Sequence, residues 1–161
     1  MTPGIGQFKY QATGELTPGG RGVLRPALRV ALLDREGSHV TGALALVDTG
    51  ADYTTLSDEW AELLGIDIEK DCQPMEVSIV DKRTSIRYCY TEGLTIEVVG
   101  EKLFLPTVMF CREPPIAVLG RRDFFYRYLV LIDHRQKRFF LERMADPEED
   151  DDPDLDIALV A

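Results

Sequence analysis

Apolar and polar residues alternate along much of this chain at the period of two that marks β-strands. Leu24 to Leu33 carries the pattern and predicts a strand, and Val40 to Val47 predicts its return after the turn Asp34-Arg35-Glu36-Gly37-Ser38. Met75, Val77 and Ile79 alternate, as do Ile86, Tyr88 and Tyr90, giving a hairpin with the polar tip Asp81-Lys82-Arg83-Thr84. Leu94 to Val99 and Lys102 to Phe110 form another pair across Gly100-Glu101, and Ala117-Val118-Leu119 is a short buried run. A last hairpin joins Leu129 to Asp133 with Arg138 to Leu141. Only two stretches change to helical spacing. One follows Ser57, a natural N-cap, with Trp60, Leu63 and Leu64 on one face; the other runs from Arg121 to Tyr128, with Phe124 and Tyr128 one turn apart. The pattern predicts an all-β domain, closed or sandwich-like, with two short helices.

Breakers divide the chain into three. Residues 1–23 mix Gly, Pro, Thr and Gln around Pro18-Gly19-Gly20 and read as an irregular N-terminal arm. Residues 24–143 form the domain. Residues 144–161 are an acidic tail, expected to be disordered, that ends on the apolar run Ile157 to Ala161.

The charge changes meaning once it is divided in this way. The chain of 161 residues carries a net charge of -10, but eight of its 28 acids lie in residues 146–156, where there is no base. The remainder holds 20 acids against 18 bases, so the body lacks the basic excess of a nucleic-acid binder. No apolar run approaches the ~20 residues of a membrane helix, and Met1 to Tyr10 lacks a signal-peptide pattern, so a cytoplasmic location is expected. Cys72, Cys89 and Cys111 have no paired metal spacing, and His39 and His134 lie far from them. Reduced structural thiols are expected, with no metal and no cofactor.

The candidate chemistry sits at the end of the second strand. In Ala45-Leu46-Val47-Asp48-Thr49-Gly50-Ala51-Asp52-Tyr53-Thr54-Thr55-Leu56 an apolar run delivers one carboxylate, Asp48, to a turn, where Thr49 can brace the backbone and Gly50 lets it bend. Further on stands Val118-Leu119-Gly120-Arg121-Arg122-Asp123-Phe124-Phe125. The first segment resembles the active-site loop of retropepsin-type aspartic proteases. The second resembles that family's hydrophobic-hydrophobic-glycine element and the helix after it. The likeness runs from about Leu24 to Glu142 and is nearest to the bacterial single-domain members.

The resemblance implies roles residue by residue. Asp48 matches the catalytic aspartate, Thr49 the threonine that reaches across the dimer, and Gly50 the glycine of the tight turn. Ala51 and Asp52 match positions flanking the substrate, and Arg121 the arginine that pairs with the carboxylate at Asp52. The flap matches Val77 to Tyr88, and its tip, Asp81, Lys82, Arg83 and Thr84, lacks the glycines usual there. The Asp-Thr-Gly triplet occurs once, and this chemistry needs two carboxylates, so the resemblance implies a homodimer acting on polypeptide substrates. It implies an aspartic endopeptidase; the alternative is a non-catalytic module of the same fold that binds peptides or scaffolds an assembly.

Overall fold

Pro26 divides the first expected strand in two. In the computed structural model, which describes residues 4–78, 84–112 and 117–145, β3 (Gly22–Arg25) ends before it and β4 (Ala27–Leu33) begins after it. Proline has no N–H to give a ladder, but its carbonyl accepts from Val47 at 2.9 Å. β4 then pairs antiparallel with β5 (His39–Val47) across the expected turn, where the Asp34 side chain accepts from the Ser38 N–H at 2.8 Å.

After β5 come the loop of Asp48, β6 (Thr55–Ser57) and helix α1 (Asp58–Leu63), capped by the Ser57 hydroxyl as expected. A further helix, α2 (Ile68–Asp71), was not anticipated; the Asp67 carboxylate caps it by accepting from the Glu69 and Lys70 N–H groups. The flap-like hairpin is β7 (Gln73–Ser78) with β8 (Thr84–Tyr90). Thr84, expected in the tip, opens β8 opposite Ser78, while Asp81, Lys82 and Arg83 lie outside the described residues. β9 (Leu94–Val98) and β10 (Glu101–Leu105) pair as expected, but the second member stops at Pro106, and β11 (Val108–Cys111) is a separate strand. β12 (Ala117–Leu119) leads into a short helix, Arg121–Phe125, followed by β13 (Tyr128–Asp133) and β14 (Arg138–Arg143). That helix is π-wound: the Phe125 N–H reaches back five residues to the Gly120 carbonyl, at 3.3 Å. It is shorter than expected, because Tyr128 already belongs to the strand.

The N-terminal lead-in is not irregular. β1 (Gly4–Lys9) pairs antiparallel with β14, and β2 (Gln11–Leu16) pairs with β3. The strands form a nine-stranded sheet in the order β10-β9-β4-β5-β12-β6-β11-β8-β7, a three-stranded sheet β1-β14-β13, and the β2-β3 pair. Val30, Ile96, Leu105, Phe110 and Leu119 come from widely separated strands of the large sheet, yet they share one buried cluster with Phe124 and Phe139. The sheet therefore curls around a single core, which gives the expected mostly-β, single-domain class.

One topological feature positions the site. β12 inserts between β5 and β6, parallel to the first and antiparallel to the second. Its register sets Val118 beside Leu46 and Leu119 beside Val47, so Gly120 arrives level with Asp48.

Candidate active site

Asp48 leaves the end of β5 half-buried, its N–H directed at the Leu119 carbonyl at 3.4 Å. Its Oδ1 accepts from the Gly50 N–H at 2.8 Å. A side chain at Gly50 would stand 3.2 Å from that same oxygen. Gly50 was expected to serve through backbone freedom. Its φ is not positive, so what the glycine provides is room for the Asp48 carboxylate beside its own N–H. The Ala51 N–H donates to the Asp48 carbonyl at 3.3 Å and closes the turn. Thr49 is exposed, and its hydroxyl makes no hydrogen bond among the described residues.

The second motif is laced onto this loop. The Arg121 N–H donates to the Ala51 carbonyl at 2.8 Å, and the Arg122 N–H to the Asp52 carbonyl at 3.0 Å. The Arg121 guanidinium forms an ion pair with the Asp52 carboxylate, the pairing the resemblance implied. Both side chains are largely exposed, so the pair contributes only about 0.2–1 kcal/mol. The backbone bonds beside it do more to fix the loop. Arg122 holds its guanidinium 4.9 Å from the Tyr53 ring centroid.

Beneath the loop lies a buried polar chain that the sequence reading missed. Thr54 is fully buried; its hydroxyl accepts from the Gly120 N–H at 3.1 Å and donates to Asp123 Oδ1 at 2.6 Å. The same oxygen accepts from the Phe124 N–H at 2.7 Å. Burial raises the Asp123 pKa above the usual carboxylate range, against the opposing pull of the hydrogen bonds from Thr54 and Phe124. Gly120 is fixed by crowding: an added Cβ would lie 2.3 Å from the Tyr53 carbonyl carbon and 2.7 Å from the Thr54 nitrogen. Both motifs were visible in the sequence, but nothing in it signalled that Thr54 and Asp123 join them underneath.

An open cavity of about 410 Å³ adjoins the loop, lined by Asp48 and Thr49 with Tyr10, Leu24, Leu46 and Ile132. Leu24 and Ile132 remain exposed there. Among the described residues no cluster of His, Cys, Asp and Glu could hold a metal ion, and no helix is long and apolar enough to cross a membrane.

A family profile described as aspartyl protease matches residues 36–120, a little over half of the chain, including the Asp48 loop, the flap-like hairpin and Gly120. The chain belongs to the aspartyl protease family. Among solved structures, a retropepsin-like aspartic protease from Rickettsia conorii superposes with a TM-score of 0.51 at 17% identity, over 91% of this chain and 97% of that one. At that identity the likeness establishes the fold. The EIAV protease complexed with the inhibitor HBY-793 has a TM-score of 0.39 at 20% identity, over 61% of this chain and 83% of that one. No curated protein matches the sequence.

Proposed function

We propose that this protein is an aspartic endopeptidase in which the Asp48 carboxylates of two copies, meeting at a two-fold axis, activate one water against a peptide bond. The observation that carries the reading is the lacing of the single Asp-Thr-Gly turn onto Gly120, Arg121 and Arg122 by three kinds of contact: backbone bonds, an ion pair and a glycine-only approach. This construction holds one carboxylate in place at the mouth of an open cavity. Peptide hydrolysis without a metal or a covalent intermediate needs two. One, ionised, takes the proton from water, and the other, protonated, polarises the scissile carbonyl. Two adjacent carboxylates share a proton because like charges in contact resist double ionisation, and they titrate as a pair.

The surroundings of Asp48 support a second copy as the source. Thr49 stands exposed beside it with its hydroxyl unmatched among the described residues, available to the twin loop. The small sheet next to the cavity exposes Leu129 and Leu131 on one face of β13, at 54% and 64%, and β13 is an edge strand among the described residues. Substrate lies extended beneath the β7–β8 hairpin and is held as an added strand. Cys72, Cys89 and Cys111 are free thiols, and burial pushes Cys72 up to about 11, which makes it an unreactive structural thiol.

The test is cleavage of a capped peptide library by the parent chain and by Asp48→Asn. The parent cleaves, and the variant loses cleavage by about a thousandfold or more while its melting temperature and sedimentation coefficient are unchanged. Cleavage that survives the substitution refutes the role of Asp48. A parent that binds peptides and never cuts them leaves the fold as a binding module.

A further inference from the structure

The curled sheet has two faces, and only one of them fills the core. Val47, Leu119, Leu56 and Phe110 point inward. Side chains alternate along each strand, and residues paired across strands share a face. Leu46, Val118, Thr55, Met109 and Cys89 are successive cross-strand partners from β5 through β12, β6 and β11 to β8, and so form one row on the opposite face. Asp48 follows Leu46 by two residues and belongs to that same face. Two residues before Cys89 on β8 stands Arg87, again on this face, opposite Met75 of β7.

Arg87 does not turn away to solvent. One terminal nitrogen of its guanidinium donates to the Thr55 hydroxyl at 2.9 Å, carrying the cation back across the row. Its Nε is covered and has no hydrogen-bond partner among the described residues, and no carboxylate among them forms an ion pair with it. The other members of the row named here are uncharged, so Arg87 brings to the face that carries Asp48 a half-buried cation with no ion-pair partner among the described residues. A covered donor left without a partner is a standing cost that a matching acceptor removes. The guanidinium fork matches a carboxylate, which it grips through two parallel bonds.

The spacing says where along a substrate this matters. Thr55 lies two strand spacings from Leu46, about 10 Å, and an extended peptide advances about 3.3 Å per residue. From these contacts we infer that Arg87 is a specificity-determining residue, selecting substrates with a glutamate or aspartate two to three residues from the scissile bond. The inference rests on the proposed peptide-binding role of the Asp48 face. In a symmetric pair of chains the preference falls on both sides of the bond.

The experiment separates the two claims by measuring binding without cleavage. Full-length chain carrying Asp48→Asn is titrated by fluorescence anisotropy with a positional set of acetylated, amidated octapeptides, each position carrying glutamate or its isostere glutamine. The glutamate peptide binds more tightly at a position two to three residues from the centre by about tenfold, the size expected for a charge-assisted pair. Adding Arg87→Gln removes that preference and leaves affinity for the glutamine peptides within about twofold, while Arg87→Lys retains part of it. An unchanged glutamate-to-glutamine ratio in the Arg87→Gln chain, or equal affinities in the Arg87 chain, overturns the assignment. Loss of binding to every peptide on Arg87→Gln also overturns it, because Arg87 is then a structural tie to Thr55. Cleavage by the Asp48 chain is scored separately, so a failure of catalysis is not confused with a failure of selectivity.

Discussion

Asp123 is 7% exposed and shares one oxygen between the Thr54 hydroxyl and the Phe124 N–H. Those donors favour the carboxylate, yet burial dominates and raises its pKa. A folded pKa above the unfolded one means that the folded state holds the proton more tightly. The stabilisation this group contributes is therefore full below its unfolded pKa, near 3.8, and is lost as pH rises through the raised folded value. Asn in its place keeps an acceptor for both donors and does not titrate. The melting temperature of Asp123→Asn relative to the parent is thus expected to rise between pH 4 and pH 7. A difference that falls over that range contradicts the assignment. Asp123→Ala, which strands the Thr54 hydroxyl and the Phe124 N–H, is expected to cost about 1–3 kcal/mol at every pH by denaturant unfolding.

At the scale of elements, the site is a loop held by a glycine. Gly120 lets β12 and the helix Arg121–Phe125 approach the Tyr53–Thr54 backbone more closely than any Cβ allows. Gly120→Ala is expected to destabilise the chain by about 2 kcal/mol or more in urea unfolding, with cleavage falling further than stability because the Asp48 loop is displaced with it. A fully stable, fully active variant would show that the close approach is dispensable. Both motifs that meet here were legible in the sequence, as were the β4–β5 turn and the Ser57 cap, because local chemistry marks each of them; the Arg121–Asp52 pairing, 69 residues apart, followed only from the family resemblance. What escaped reading depended on distant partners. β1 looks irregular because Gly4 and Gly6 break any apolar alternation, and it becomes a strand by pairing with β14, about 130 residues on. Thr54 and Asp123 look like ordinary turn residues until the crossing of β12 buries them together. Pro26 and Pro106 interrupt runs whose hydrophobic alternation continues across them, so pattern alone merged what the missing N–H divides.

For the whole molecule, a single Asp-Thr-Gly turns a question about a residue into one about assembly. The β1-β14-β13 sheet uses the N-terminal strand within its own chain; Ile132 of its edge strand lines the Asp48 cavity, and Leu129 and Leu131 stand exposed on the other face of that strand. Leu131→Glu is expected to shift the chain to monomer by sedimentation velocity and to abolish cleavage at low concentration, with a melting profile close to that of the parent at high concentration. A dimer unaffected by the charge would move the interface elsewhere. The most direct test of paired Asp48 carboxylates mixes parent chain with an equal amount of Asp48→Asn chain, with mixed dimers verified by co-capture of differently tagged copies. Random reassortment puts about half of the parent protomers into mixed dimers, each with one aspartate, so cleavage per parent chain falls to about half. Cleavage per parent chain that stays unchanged while mixed dimers form would contradict the account, because a single Asp48 would then suffice.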